Sequence, residues 1–275
     1  MQYAFAPQIG DAKAMIELAV EAEKAGWDGF FIPDALAPSG QFFDPWVLLS
    51  AIAMKTERIR IGTMITAVSR RRPWKLARET GTLDQLSNGR LILSVGLGAV
   101  EYDGGFSKVG EPTDLKTRAQ LLDEGLEIMA GLWGGKPYSF KGEHYRVDDI
   151  QMLPASVQKP RIPVWVVGVW PKEKSMRRAL RWDGVIPQKY KATASDAYMK
   201  PDEIRALKDY VKGHHAQPDR FDIIAGGITS GRSRKQDAET VRPFIEAGAT
   251  WWVDSIFSSD AQKIRARIRK GPPRP

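Results

Sequence analysis

The feature that most constrains this chain is a rhythm. Short runs of apolar, β-branched and aromatic residues are each followed by a stretch whose apolar side chains recur every three or four positions. A period of two reads as strand and a period near 3.6 reads as helix. YAFAPQI at 3–9 precedes a helical stretch over 11–26, where Met15, Leu18, Ala19, Ala22 and Ala25 share a face and Gly26 stops the run. DGFFIPDA at 28–35 is the second strand, and Pro45 opens the helix after it. IRIGTMITA at 59–67 is apolar enough for a strand covered on both faces. The helix over 73–89 has Pro73 at its first position and Asn88-Gly89 at its end. LILSVGLG at 91–98 is the fourth strand.

A connection over 99–113 follows, too long for a plain turn and read as a lid that closes over a site. After a helix over 114–133 comes PYSFKGEHYRV at 137–147, a small hairpin turning at Lys141-Gly142. The pairs then resume at 161–182, 183–215, 221–248 and 250–270. About eight strand–helix pairs without a break in composition predict an α/β single domain, a (β/α)8 TIM barrel. A doubly wound open sheet is the alternative, disfavoured because no GxGxxG follows the first strand.

Composition removes several chemistries. The chain has no cysteine, so disulfides, thiolate nucleophiles and cysteine-held metals are excluded. Its three histidines are His144 and the neighbours His214 and His215, which share no helical face and do not suggest a metal site. No apolar run reaches the ~20 residues of a membrane span, and no signal peptide opens the sequence, so a soluble cytoplasmic protein without a membrane partner is expected. The net charge of +8 is concentrated in RRRP at 70–73 and in the segment 263–275. Without aromatic interleaving or a nucleic-acid motif, these runs read as solvated surface, and no nucleic-acid partner is expected.

In such a barrel the site lies at the C-terminal ends of the strands. Asp34 stands at the second of these ends, placed to accept a hydrogen bond from a ring N–H or a hydroxyl, or to take a proton. The competing reading is that it caps its loop or pairs with an arginine. Gly168, Val169 and Trp170 precede a helix carrying Lys172, Lys174, Arg177 and Arg178, an arrangement able to hold a phosphate. There is no GxSxG, HExxH or P-loop. With so few acid–base groups, the difficult chemistry falls to a bound cofactor that the protein orients.

The run IRIGTMITAVSRRRPWKLARETGTLDQLSNGRLILSVGLG at 59–98, supported by EAEKAGWDGFFIPD, RIPVWVVG, RWDGVIP and EAGATWWVD, resembles the luciferase-like monooxygenase family of flavin and deazaflavin oxidoreductases. The resemblance covers nearly the whole chain. It implies a barrel over 1–270 with a flexible tail at 271–275, and redox chemistry on FMN or the deazaflavin coenzyme (F-420). A small organic substrate, a separate flavin reductase and a homodimer are the implied partners. Asp34 is the implied catalytic group. The implied cofactor-binding set adds Ala6, the third-strand bulge Thr63, Met64 and Ile65 with a cis Thr63–Met64 bond, Gly96 and Gly98 at the fourth strand, and Gly168, Val169, Trp170, Pro187 and Gln188. Deazaflavin members often carry histidine after the second-strand acid, where this chain has Ala35, and some carry glutamate where it has Ala99. These departures favour an FMN-dependent monooxygenase, with a deazaflavin-dependent hydride-transfer enzyme or a non-catalytic flavin-binding paralogue as alternatives.

Overall fold

The computed structural model describes residues 1–8, 10–36, 42–103, 105–191, 198–257 and 260–275. In chain order the elements are β1 (Gln2–Gln8), α1 (Ala12–Lys24), β2 (Gly29–Ile32), α2 (Pro45–Ala53), β3 (Arg60–Thr63), β4 (Thr66–Ala67), α3 (Pro73–Leu86) and β5 (Leu91–Gly96). They continue with α4 (Val100–Asp103), α5 (Leu115–Trp133), β6 (Tyr138–Lys141), β7 (Arg146–Ile150), β8 (Val164–Trp170) and α6 (Glu173–Ala179). The last are β9 (Gly184–Lys189), α7 (Pro201–His214), β10 (Asp222–Gly227), α8 (Arg234–Glu246), β11 (Trp251–Phe257) and α9 (Ala261–Arg269). The chain groups into two compact units: Met1–Ile9 with Lys13–Phe31 and Val164–Pro275, and Gly10–Ala12 with Ile32–Pro163.

In the first unit the strands run in the order β2-β1-β11-β10-β9-β8, and the paired strands are parallel. Its interior is filled by rings. Trp165 lies 5.3 Å from Phe31 and 5.0 Å from Trp251, centroid to centroid. Glycine makes room for them: a Cβ on Gly184 would stand 2.6 Å from Trp165. Trp165 and Trp251 belong to the first turns of their strands, so the bulk is spent at the N-terminal ends. Strand alternation puts Val169 on the face of Trp165, and register adds Gln188 opposite Val169. In the same way Ala6 pairs with Ser255, on the face of Trp251. The C-terminal end of this unit therefore presents small and polar groups.

In the second unit β5 pairs in parallel with β3 and with β4, while β6 and β7 form an antiparallel hairpin. Aspartate side chains cap two of the unit's helices. Asp44 accepts from the N–H groups of Trp46 and Val47 to start α2, and Asp114 accepts from Thr117 N–H to start α5. Asn88 and Gly89 take φ 51° and 77° after α3, as a helix stop of that composition requires. The third strand differs from the expected 59–67: it pauses after Thr63, and Thr66–Ala67 resumes it. The cis peptide is Met64–Ile65, one bond later than expected. The reason is that Met64 N–H still donates to Ile32 O at 2.8 Å, so the backbone leaves the ladder one residue on.

The hairpin is not a free aromatic surface. Glu124 of α5 accepts from the N–H groups of Glu143, His144 and Tyr145, and Tyr145 packs edge-on against Trp74 at 5.9 Å. Residues 271–275, expected as a flexible tail, make specific contacts. Arg274 donates to Gly26 O at 2.9 Å and pairs with Asp28 at 3.1 Å. Among the described residues, no helix is long and apolar enough to cross a membrane.

Candidate active site

Asp34 follows β2 and is buried. Its Oδ1 accepts from Arg70 at 2.9 Å and from Arg71 at 2.7 Å. Side-chain exposure is 1% for Asp34, 6% for Arg70 and 17% for Arg71, so the solvated surface expected of the arginine run is not found at these two residues. Two of its three arginines are internal partners of one carboxylate, and only Arg72 is exposed. Arg71 also lies over the Trp46 ring at 5.8 Å. Asp34 Oδ2 is buried and accepts from no described group. A buried carboxylate oxygen in that condition is costly unless a ligand donor meets it. The reading of Asp34 as an arginine partner is met on Oδ1, while Oδ2 is left without a described donor.

Beside it, the end of β3 is lined with hydroxyls. Thr66 Oγ1 donates to Thr63 Oγ1 at 2.8 Å, and Ser94 Oγ is buried without a described partner. At the tip of β5, Arg118 of α5 donates to Leu97 O and Gly98 O, both at 2.8 Å, and stacks over Phe106 at 5.4 Å. Burial lowers the Arg118 pKa from its ordinary value, opposed by the charges of Asp114 and Glu101. Sequence reasoning missed Arg118, whose signal would have been an arginine on the inward face of an otherwise apolar helix. The clasp also changes the reading of the 99–113 connection. Phe106 is fully buried within it, and the segment contains α4, so it is anchored in its middle rather than swinging as one lid.

Gly98 is required here. It holds φ 82°, and a Cβ would meet Phe106 at 2.5 Å and Ala67 at 2.9 Å. Gly98→Ala is expected to cost about 2–4 kcal/mol from left-handed strain plus overpacking, read as a lowered urea midpoint at unchanged slope. A loss below about 0.5 kcal/mol would show that the tip relaxes freely.

The first unit divides its expected residues. Ala6, Val169 and Gln188 share the inner face, as register shows. Gly168, Trp170 and Pro187 alternate to the other face. A Cβ on Gly168 would meet Met176 of α6 at 3.1 Å, and Trp170 packs against Tyr210 at 5.5 Å. The backbone expected to hold a phosphate is partly engaged, since Val169 N–H donates to Ser175 Oγ at 2.9 Å. Lys172 sits over the Tyr190 ring at 3.7 Å. Tyr198, which sequence reasoning missed, lies 3.3 Å from where a Cβ on Gly226 would be. Burial pushes its phenol up, offset in part by a hydrogen bond with Ser255. No set of three or more metal-ligating side chains converges among the described residues.

Residues 3–273 match the family model for luciferase-like monooxygenases. The chain belongs to the luciferase-like monooxygenase family. Its fold is the family's (β/α)8 barrel: an F420-dependent secondary alcohol dehydrogenase superposes with a TM-score of 0.79 at 18% identity, covering 98% of this chain and 97% of that one. The FMN-bound oxygenating constituent of 3,6-diketocamphane monooxygenase from Pseudomonas putida gives 0.73 at 16% identity, covering 99% and 98%. By sequence, an uncharacterized protein of Mycobacterium tuberculosis is 30% identical over 204 residues, 67% of this chain and 68% of that protein. The F420-dependent glucose-6-phosphate dehydrogenase of Amycolatopsis mediterranei is 32% identical over 175 residues, 61% of this chain and 51% of that enzyme. The match thus spans about half the length of that dehydrogenase. Members of the luciferase-like family are flavin and deazaflavin oxidoreductases, and both coenzymes occur among these relatives.

Proposed function

We propose that this luciferase-like protein is an oxidoreductase acting on a small organic substrate with a flavin-type coenzyme, and that the deazaflavin is the coenzyme it prefers. The observation that carries the reading is the open, buried Oδ2 of Asp34, with Oδ1 already occupied by two guanidinium groups. This arrangement suits an acceptor for a ligand N–H or O–H better than a mobile proton carrier. When bound, the coenzyme supplies the two-electron chemistry that no side chain of this chain can supply. In the second unit the residues that would hold it are Asp34, the Thr63–Ile65 bulge, Gly96 and Gly98. Arg70 and Arg71 orient Asp34, and Arg118 fixes the β5 tip from behind.

The deazaflavin is supported by relatives at about 30% identity whose names carry it. FMN is the second reading, favoured by Ala35 and Ala99 at positions where deazaflavin enzymes often carry histidine and glutamate. Parallel fluorescence titrations with the two coenzymes separate them. The expected result is tighter binding of the deazaflavin, and at least tenfold weaker binding of it by Asp34→Ala, since a charged buried hydrogen bond contributes about 1.5–3 kcal/mol. Tighter binding of FMN would transfer the assignment to the monooxygenase reading. Failure of both to bind at tens of micromolar would end the proposal.

A further inference from the structure

Within the first unit, the segment that leaves β10 and the end of α9 enclose a cleft of about 310 Å³, within the size range of small-molecule sites. None of its lining residues belongs to the candidate active site. Four cations line it: Arg232, Arg234, Arg269 and Lys270. Only Arg269 is paired among them in the described structure, with Glu21 at 2.7 Å. The one acid in the lining is Asp237, and its carboxylate is engaged by backbone. It is buried, and its carboxylate accepts from Ser230 N–H at 3.0 Å and from Gly231 N–H at 2.9 Å. Three of the four cations, Arg232, Arg234 and Lys270, therefore have no ion-pair partner among the described residues, against the single carboxylate of Asp237 in the lining.

Its walls are also fixed. The buried Arg267 donates to Thr229 O at 3.2 Å on one side and to Gly271 O at 2.7 Å on the other. One guanidinium, itself paired with Asp254 at 2.7 Å, thus ties both walls at a set separation. Gly231 at φ 66° lets the first wall lie against α9, where a Cβ would strike Arg267 Cδ at 2.8 Å. A cleft whose backbone walls are already tied at a set separation loses little backbone freedom when an anion enters.

We propose that this cleft is a second binding site, taking a small phosphorylated molecule. Phosphate fits better than a carboxylate for two reasons. Three unpaired cations in one lining exceed the charge of one carboxylate, and the arginine fork matches phosphate oxygens in pairs. The arginines of the basic C-terminal helix are already paired: Arg265 with Glu17 at 2.6 Å, Arg267 with Asp254, and Arg269, which also lines the cleft, with Glu21. That leaves a local pocket rather than an extended stripe for nucleic acid.

Isothermal titration of the full chain with inorganic pyrophosphate at low salt tests this, with AMP as a second arm and a single-stranded oligonucleotide as a third. Saturable pyrophosphate binding is expected, weakened at least tenfold in Arg232→Gln/Arg234→Gln and again in Lys270→Gln, and declining with added salt as screening requires. Tighter binding of AMP would assign a nucleotide, and equal binding would assign the phosphate group alone. Both arginines are exposed, so an unchanged thermal transition confirms that the variant folds. The coenzyme titration should be unaffected by these substitutions, which keeps the two assignments separable. The proposal is overturned by the absence of saturable heat with either phosphate probe, by equal binding in the double variant, or by an oligonucleotide that outcompetes pyrophosphate at the same arginines.

Discussion

Asp34→Ala is expected to destabilise the protein by about 3–5 kcal/mol, the usual consequence of stranding buried charge. The carboxylate and its two guanidinium partners are largely withdrawn from water, with side-chain exposures of 1%, 6% and 17%. Deleting Asp34 leaves both cations facing a low-dielectric interior with their shared acceptor gone. Deleting Arg71 is milder, because Arg70 still serves Oδ1 and Arg71 is the most exposed of the three. Arg71→Met should therefore cost clearly less than Asp34→Ala, and its aliphatic stem should keep some of the packing on Trp46. Urea unfolding of the three proteins provides the test. Equal stability of wild type and Asp34→Ala, within about 0.5 kcal/mol, would mean that water reaches the cluster and the burial argument fails. The same variant weakens coenzyme binding through a different atom, Oδ2. Arg71→Met, which leaves Oδ2 in place, should lose less affinity than Asp34→Ala.

The barrel was legible in the sequence because its signal is repetitive. Eight strand–helix pairs each carry their own periodicity, and stops such as Asn88-Gly89 have one conformational meaning. The site was only half legible. That Asp34 matters can be seen from the chain, while the arginines of 70–72 read there as solvated surface and two of them prove to be its partners. That they meet depends on where a turn after β4 returns the chain, and no local periodicity encodes that. The cis bond was displaced by one residue for the same reason: a single hydrogen bond, Met64 N–H to Ile32 O, decides where the ladder ends. Gly168, Trp170 and Pro187 were expected at the cofactor because they sit at strand ends. A strand end has two faces, and the parity that assigns them is anchored by Trp165 packing inward against Phe31 and Trp251, which is a tertiary fact. Likewise the segment 263–275 looked like a solvated basic run, and only the fold shows Glu17, Glu21, Asp28 and Asp254 arranged to receive it.

Arg267→Met is expected to show a stability defect that grows with pH. In the native protein Asp254 is fully buried and accepts from Arg267, from Thr229 N–H at 3.0 Å and from the Thr229 hydroxyl. Burial raises its pKa above the ordinary 3.8, with the Arg267 charge opposing. A carboxyl whose folded pKa is raised contributes stability that is fully present below its unfolded value and is lost as pH rises through the folded one. Methionine keeps the stem but removes the opposing charge, so the folded pKa climbs further and the window of loss extends upward. Toward acid pH the Asp254 carboxyl of the variant takes up its proton more readily, and the deficit shrinks toward the lost hydrogen bonds to Thr229 and Gly271. By pH 7 to 8 the variant must either bury an unpaired anion or hold a proton against the solution, and the deficit approaches the 3–5 kcal/mol of a broken buried pair. Urea midpoints measured for both proteins from pH 4 to 8 should therefore diverge toward neutral pH. A constant gap would mean that Asp254 stays ionised without its guanidinium, and a gap that narrows with pH would reverse the sign of the coupling altogether. Because Arg267 also ties the two walls of the basic cleft, the same variant should weaken pyrophosphate binding even at pH values where it remains folded.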